Sequence, residues 1–286
     1  MGSTSFTYNS IDLMLDLHTH TVASDGSVPP LELIREAAGI GIDVLGITDH
    51  DTFAGYDEAV TLAKELGIRL VCGIELSTKL NGQTVHVLGY FFDDREMTDF
   101  LAWVRKHEAS RRERNLQLIA RLQELGMNVS LEEVKAYGQG LTGRPHFAQA
   151  LLAKGYVVSL QEAFDKYLAE SGKAFVPREE PSIEEAIGKI RESRGIASLA
   201  HPVRIKGDIS AILPALREAG LNAVEVYHSD HSAALTEIYL GLAKKHALKV
   251  TGGSDFHGTF KPDIKLGTGR NGNLNLKRDL LEQFGG

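Results

Sequence analysis

The sequence has almost no cysteine, since Cys72 is the single thiol among 286 residues. One thiol cannot form an intramolecular disulfide, so a small secreted scaffold held by disulfides is excluded. Cys72 lies in a strand-like apolar run that spans residues 69–74. We therefore expect it to be a small buried side chain without a redox role.

Long hydrophobic runs are also missing. No apolar stretch approaches the roughly 18 residues that a membrane-spanning helix requires. Residues 1–6 lack the basic segment and the apolar core of a signal peptide. We therefore expect a cytoplasmic enzyme that does not bind a membrane.

Positive charge is in deficit, because 31 Lys and Arg residues face 38 Asp and Glu residues and give a formal net charge of -7. This balance argues against binding of long duplex nucleic acid. It is compatible with a small phosphorylated substrate. The basic residues between Arg105 and Arg114 could guide a short oligonucleotide to the site. They are interleaved with Glu108 and Glu113, however, so we favour a solvated helix face.

The sequence does contain two stretches in which predicted strands and helices alternate. The first runs from an apolar strand at residues 11–15 to a hairpin whose turn is Asn81-Gly82, and the second runs from residue 195 to residue 252. Residues 97–180 have a helical pattern instead. We predict an α/β fold in which residues 12–96 and 181–286 form a parallel sheet or a barrel with helices outside it, and residues 97–180 form a helical insertion domain.

One short stretch after the first predicted strand contains the sequence His18-Thr19-His20. Side chains two residues apart on a strand point to the same side, so the two imidazoles converge. Asp25 follows shortly afterwards and adds an oxygen ligand. Imidazole and carboxylate groups arranged in this way can bind a divalent cation.

The same residue types recur near the ends of later predicted strands, where functional residues collect in folds of this kind. The later candidates are His50, Glu75, His86, His201, Asp255 and His257. His86 differs from the others because it lies inside a hairpin strand. A set of His and carboxylate ligands without cysteine suits Mn, Zn or Fe.

The spaced motifs at residues 16–26, 48–51, 200–202 and 253–257 resemble those of the PHP (polymerase and histidinol phosphatase) family. The resemblance extends over nearly the whole chain and favours the branch that contains nucleoside 3',5'-bisphosphate phosphatases and a related exoribonuclease. It implies a distorted (β/α)7 barrel, formed by residues 12–96 and 181–286, that holds two or three divalent metal ions, and an insertion domain at 97–180 that caps the substrate. We expect manganese first, with zinc or iron as alternatives.

The resemblance also implies how the candidate ligands are shared among the ions. One ion is expected on His18, His20, Glu75 and Asp255. Glu75 would bridge to a second ion that is completed by His86 and His201. A third ion would lie on Asp25, His50 and His257, and Asp49 would orient a ligand imidazole.

Outside the metal ligands, the resemblance implies four residues that contact the substrate. Arg144 and His146 in the insertion are expected to grip a substrate phosphate, and Arg204 and His231 to contact it further. Arg144 would also neutralise charge during the reaction. His231 or His146 would give a proton to the leaving group.

These expectations together describe a phosphoesterase that hydrolyses a nucleotide by in-line attack of a metal-bridging hydroxide. The expected substrate is a nucleoside 3',5'-bisphosphate or the 5' end of a short oligoribonucleotide. One alternative is a phosphatase for histidinol phosphate or another small phosphomonoester. An alternative of another class is a non-catalytic, metal-stabilised module of a larger complex.

Overall fold

The computed structural model describes residues 13–92, 97–138, 140–274, 276 and 279–284. Its central element is a seven-stranded sheet in which the strands follow one another in chain order. These strands are β1 (Leu15–Thr19), β2 (Val44–Ile47), β3 (Arg69–Leu80), β4 (Gln83–Phe91), β5 (Ile196–Leu199), β6 (Ala223–His228) and β7 (Lys249–Gly253).

The strands are parallel to their neighbours except for β4, which is antiparallel to both β3 and β5. The sheet curves until its two edges meet. There Asp255 N donates to His18 O at 2.8 Å, and His20 N donates to Phe256 O at 2.9 Å. The predicted α/β barrel of seven strands is therefore confirmed.

Helices surround the sheet and also fill the chain between β4 and β5. Those of the described residues are α1 (Pro30–Ile40), α2 (Ala54–Glu65), α3 (Thr98–Glu124), α4 (Leu131–Lys135), α5 (Arg144–Ala153), α6 (Leu160–Ala163), α7 (Ile183–Glu192), α8 (Ile209–Ala219), α9 (Ala233–Lys245) and α10 (Asp279–Glu282). A two-stranded sheet, β8 (Ile264–Lys265) and β9 (Gly269–Arg270), follows β7. Within the described part of the chain, no helix is long and apolar enough to cross a membrane.

Local sequence signals explain several element boundaries. Helix α1 starts at Pro30 and ends at Ile40. The next residue, Gly41, has a φ of 82°, the left-handed conformation that terminates helices. Asn81 and Gly82 both have positive φ and join β3 to β4 as the predicted hairpin. The first strand was predicted too early, at residues 11–15. It begins at Leu15 and therefore includes His18, while residues 11 and 12 lie outside the described residues.

Helix α7 was not predicted, although its sequence carries both signals of a helix. Ser182 caps its first turn by accepting from Glu185 N. Its apolar residues recur at helical spacing and pack into the core beside β3, β4 and β5 (Ile183, Ala186, Ile187 and Ile190). This packing covers the outer face of the barrel where the chain returns from the helices α3–α6.

Helices α3–α6 have a hydrophobic cluster of their own, which includes Leu122, Phe147 and Leu151. They also contact the mouth of the barrel, where Leu141 N donates to Ala23 O at 2.7 Å. The division into a barrel domain and an insertion domain, with boundaries at residues 97 and 180, stays a prediction. The contact at Ala23 nevertheless places these helices over the strand ends.

Candidate metal centre

Glu75 lies at the centre of the converging side chains. Its carboxylate is buried on β3 and faces the interior of the barrel. Five imidazole rings approach its two oxygens: His20 at 3.0 Å, His18 at 3.2 Å and His50 at 3.4 Å on Oε2, and His86 and His201 at 2.8 Å on Oε1. Five rings on one carboxylate indicate shared cations, because the two oxygens cannot satisfy all of them as hydrogen-bond partners.

The first predicted group converges as expected. His18 Nε2 and His20 Nε2 lie 3.2 Å apart, and Asp255 Oδ1 lies 3.6 and 3.4 Å from them. Ligand atoms at ~2.1 Å from a shared ion in tetrahedral geometry are separated by about 3.4 Å. The spacing of the four donor atoms, Glu75 Oε2 included, therefore fits a divalent cation.

The second predicted group gathers around the other oxygen of Glu75. His86 Nδ1 lies 3.3 Å from His201 Nε2, and both nitrogens lie 2.8 Å from Glu75 Oε1. Glu75 thus has one oxygen in each group. This is the arrangement that a bridging carboxylate would have.

The third predicted group lies around Asp25. His257 Nε2 is 3.4 Å from Asp25 Oδ1, and His50 Nε2 is 3.6 Å from Asp25 Oδ2. His20 lies between this group and the first, because its Nδ1 is 3.3 Å from Asp25 Oδ1. The assignment of His20 and Asp25 to different ions stays a prediction.

The charge states of these groups suit cation binding. Although burial raises the pKa of Glu75, His50 and His86 lower it well below its ordinary value. Burial lowers the pKa of His50 and of His201 to about 3, so both rings are neutral at pH 7. For His18 the carboxylates of Glu225 and Glu75 outweigh burial and raise the pKa to about 10, so cation binding at this ring displaces a proton.

Three non-glycine residues at the site have positive φ: Asp51 at 54°, His201 at 24° and Asp255 at 57°. Such conformations cost about 1–3 kcal/mol each and persist only where surrounding contacts hold them. Asp255 is held by the hydrogen bond of its N–H to His18 O. Two of the three, His201 and Asp255, are candidate ligands, so this strained backbone lies within the donor groups.

A cavity of about 480 Å³ opens above the donor groups and is closed on its far side by α3 and α5. One wall consists of metal-ligand candidates, among them Asp25, Glu75 and Asp255. The remaining lining contains the cationic side chains Arg111, Arg114, Arg144, Arg178, Arg204 and Lys261. A cavity with this lining suits a substrate that carries several negative charges.

The interpretation of the basic stretch on α3 as a solvated face is wrong for two of its residues. Arg111 and Arg114 are each only 7% exposed and line the cavity, whereas the side chain of Arg112 is 74% exposed. Residues three apart share one helix face, and that face is turned toward the barrel mouth. The three-residue spacing of Arg111 and Arg114 is the feature of the sequence that could have indicated that both side chains share one helix face.

The two arginines of α3 differ in their partners. Arg111 pairs with Asp51, which also pairs with Arg178 at 3.2 Å. Arg114 lines the cavity without a carboxylate within 4 Å among the described residues, and its buried Nε has no hydrogen-bond partner. Burial, together with Arg111 and Arg144, lowers the pKa of Arg114 to about 9.

Replacing Asp51 by Asn is expected to lower the free energy of unfolding at pH 7 by about 3–5 kcal/mol, because Arg111 and Arg178 remain buried without their counter-ion. Although burial raises the pKa of Asp51, Arg111 and Arg178 lower it well below its ordinary 3.8. Its stabilising contribution is therefore present above pH 4 and lost as the pH falls further. Urea unfolding should show a smaller difference between the two proteins at pH 3 than at pH 7. Asp99→Asn on the exposed start of α3 is the control, and equal losses in both variants would contradict the prediction.

Arg204 and Lys261 contact the second oxygen of Asp255, at 2.8 and 2.7 Å. Arg204 also pairs with Asp230 at 2.6 Å. Arg144 donates to Leu168 O at 3.4 Å, and no carboxylate of the described residues lies within 4 Å of it. Of the predicted phosphate contacts, Arg144 and Arg204 are therefore both placed in the cavity wall.

His146 and His231 are buried and are not among the residues that line this cavity. His146 Nδ1 accepts from Gly143 N at 2.9 Å, at the start of α5. His231 Nδ1 donates to Val226 O at 2.7 Å. In each ring Nε2 has no hydrogen-bond partner. Their roles toward the substrate stay predictions.

Two buried carboxylates support the loops that carry the donors. Asp49 accepts from Thr21 N at 2.8 Å and from Ser24 Oγ at 2.5 Å, so it holds the loop that leads to Asp25. Glu225 lies behind His18 together with His228 and was not predicted as a site residue. The signal for Glu225 in the sequence is a single acidic residue between two valines in β6.

The PHP domain family model matches residues 16–238 of the chain. The chain is 34% identical to a 5'-3' exoribonuclease of Haemophilus influenzae, over 85% of this chain and 89% of the relative. It is 32% identical to a 3',5'-nucleoside bisphosphate phosphatase of Chromobacterium violaceum, over 85% and 87%. A solved amidohydrolase structure from Chromobacterium violaceum, with bound sulfate and no metal, matches with a TM-score of 0.81 and 31% identity, over 89% and 90%.

Proposed function

The chain belongs to the PHP domain family and is a metal-dependent phosphoesterase, and on that premise we propose that its substrate is a nucleoside 3',5'-bisphosphate or the 5' end of a short oligoribonucleotide. Both substrates place a second phosphate one ribose away from the phosphate that is attacked. The names of the two relatives, an exoribonuclease and a nucleoside bisphosphate phosphatase, support these two substrate classes. The cationic side chains of the cavity support them independently.

The observation that carries the proposal is the pair Arg114 and Arg144. Both guanidinium groups lie in the cavity wall without a carboxylate partner among the described residues. An uncompensated buried cation is costly unless an anion binds to it. A substrate with one phosphate at the donor groups would leave this pair unused. A second phosphate would fill it with charge-assisted hydrogen bonds.

We propose that the donor groups hold two or three divalent ions, with manganese first and zinc or iron as alternatives. The first ion would be held by His18, His20, Glu75 and Asp255, the second by Glu75, His86 and His201, and the third by Asp25, His50 and His257. Such ions, when bound, lower the pKa of water toward about 7 and neutralise charge on phosphate oxygens.

The chain's own residues would orient the substrate in the cavity. Arg204 lies beside Asp255 and would donate to the equatorial oxygens of the reacting phosphate. Lys261 lies on the same carboxylate and adds a second positive charge at this end. Arg144 would hold the other phosphate from α5, and helices α3 and α5 would exclude water from the cavity. His146 and His231 stay our candidates for the proton donor. The ring proton of His146 lies on Nε2, because its Nδ1 accepts from Gly143 N, whereas His231 donates from Nδ1 and would have to bind a second proton at Nε2 before it could act.

The proposal is tested by assaying adenosine 3',5'-bisphosphate, a 5'-phosphorylated tetraribonucleotide, adenosine 5'- and 3'-monophosphate, and histidinol phosphate with Mn²⁺. We expect kcat/KM for the first two to exceed that for the monophosphates by about 10²-fold, because hydrogen bonds to charged groups contribute about 1.5–3 kcal/mol each. Equal or faster hydrolysis of histidinol phosphate would instead favour the small-molecule phosphatase. Absence of turnover on the whole panel would overturn the proposed substrate class.

Replacing Arg114 by Ala is expected to raise KM for adenosine 3',5'-bisphosphate by about 10–100-fold, because the second phosphate loses a charge-assisted hydrogen bond. Hydrolysis of adenosine 3'-monophosphate should change by less than about threefold, because that substrate does not reach the pair Arg114 and Arg144. Steady-state kinetics on both substrates give the comparison.

Arg112→Ala is the matched control for this prediction. Arg112 is two residues away on α3, and its exposed side chain pairs with Glu108 instead of lining this cavity. We expect unchanged kinetics on both substrates. Arg114→Lys should recover part of the affinity, because it keeps the charge and loses the planar fork. An equal loss on both substrates in Arg114→Ala would contradict a role in holding the second phosphate.

A further inference from the structure

Glu225 is a buried carboxylate that the proposed reaction does not use. It lies on β6 between Val224 and Val226, which pack into the hydrophobic cluster on the outside of the barrel. Alternate residues of a strand point to opposite faces, so Glu225 points into the barrel interior. Its exposed fraction is 0%. A carboxylate this deep requires partners for both oxygens.

Both oxygens of Glu225 have partners, and each partner belongs to a candidate metal ligand. Oε1 lies 2.8 Å from Nδ1 of His18, on β1. Oε2 accepts from the backbone N–H of His201 at 2.6 Å, just after β5. One carboxylate therefore connects two strands that carry ligands of different groups.

The contact with His18 determines which ring nitrogen carries the proton. A hydrogen on Nδ1 is donated to Glu225, so the lone pair of the neutral ring is left on Nε2. Nε2 is the atom that lies 3.2 Å from both His20 Nε2 and Glu75 Oε2. Glu225 thereby presents the correct tautomer to the first donor group.

The contact with His201 acts on the backbone. His201 has φ of 24° and ψ of 65°, a conformation that residues with a Cβ rarely adopt. The hydrogen bond from its N–H to Glu225 helps to hold this conformation. In it, Nε2 of His201 lies 2.8 Å from Glu75 Oε1, in the second donor group.

We propose that Glu225 is a positioning residue that fixes the tautomer of His18 and the strained backbone of His201, and thereby sets the affinity of the centre for its first two ions. The inference rests on the metal assignment of the proposed function. It concerns a residue that does not line the substrate cavity and that contacts His18 at Nδ1, not at the Nε2 that belongs to the first donor group.

The test is Mn²⁺ binding by the full chain with Glu225→Gln, measured by calorimetry and by metal analysis after dialysis. Glutamine has one acceptor oxygen, so it cannot serve both donors, and its amide group places an N–H against the other one. We expect Mn²⁺ dissociation constants about 10–100-fold higher, the usual loss when a partner of a ligand histidine is removed. The number of ions at saturation should be unchanged, and excess Mn²⁺ should restore kcat.

A spectroscopic readout separates positioning from a general loss of stability. With Zn²⁺ bound, which removes the proton from Nε2, ¹⁵N-detected histidine spectra of the wild type should show His18 with its remaining proton on Nδ1, and this signal should weaken in Glu225→Gln. Glu225→Asp keeps two acceptor oxygens and should recover part of the Mn²⁺ affinity. If Glu225→Gln does not fold, the Mn²⁺ affinity of Glu225→Asp is compared with that of the wild type instead.

Thr251→Val is the matched control. Thr251 pairs in register with Glu225 on β7, is equally buried, and hydrogen-bonds Ser198 Oγ at 2.7 Å. Its loss should lower stability and change Mn²⁺ affinity by less than about threefold. The positioning role would be overturned if Glu225→Gln bound Mn²⁺ with unchanged affinity, or if Thr251→Val lost as much Mn²⁺ affinity as Glu225→Gln. If Glu225→Gln bound one ion fewer at saturation, Glu225 would be a metal ligand instead. A wild-type chain that binds no Mn²⁺, Zn²⁺ or Fe²⁺ would overturn the metal assignment itself.

Discussion

Replacing Glu75 by Gln is expected to lower kcat by about 10³-fold or more on every phosphate ester that the wild type hydrolyses. One oxygen of Glu75 lies in each of two donor groups, so the substitution weakens both. Divalent ions contribute several kcal/mol to stabilisation of charge in the transition state, and 10³-fold corresponds to about 4 kcal/mol. Turnover should be measured together with bound metal per chain.

The metal content decides whether this loss has the proposed cause. We expect Glu75→Gln to retain its helical circular dichroism and to bind at least one ion fewer per chain than the wild type. Glu58→Gln on the exposed face of α2 is the control, with turnover within about twofold of wild type. A Glu75→Gln protein with full metal content and near-normal turnover would be incompatible with Glu75 as a shared ligand.

Removal of metal by a chelator is expected to abolish hydrolysis and to lower the melting temperature by about 8 °C. A ligand present at about 1,000 times its dissociation constant stabilises the fold by about 4 kcal/mol, and each kcal/mol shifts a chain of this size by about 2 °C. Scanning calorimetry with and without chelator measures the shift. Activity should return on addition of the correct ion alone.

Refilling the metal-free protein separately with Mn²⁺, Zn²⁺ and Fe²⁺ identifies that ion. We expect Mn²⁺ to restore the highest turnover, although a donor set of imidazoles and three carboxylates without a thiolate also suits Zn²⁺ and Fe²⁺. A higher turnover with Zn²⁺ or Fe²⁺ would change the identity of the metal and leave the site intact. Full activity after complete chelation would contradict the metal-dependent mechanism.

The sequence predicted the alternation of strands and helices because its signals are local, and the resemblance to the PHP family implied that the strands close into a barrel. The hairpin turn at Asn81 was placed correctly. The ligand candidates were found for a related reason. The carboxyl ends of neighbouring parallel strands meet at one edge, so residue types that recur at strand ends must lie close together.

The arginine wall of the cavity was not predicted in full. Arg111 and Arg114 belong to a stretch of mixed charge that is typical of a solvated helix, and only the docking of α3 on the barrel mouth buries them. Asp51 lies directly after His50, yet its partners Arg111 and Arg178 come from positions 60 and 127 residues away. Sequence spacing carries no information about such contacts.

The sequence by itself therefore determined the fold class, the donor set and the strand ends on which the donors lie, because each depends on the period of a single element. The tertiary structure decided which donors share Glu75, which arginines face the cavity, and that Glu225 supports His18 and His201. These features depend on where elements distant in the chain meet. Contacts between distant elements are determined by the packing of the whole barrel and not by the residues of any one segment.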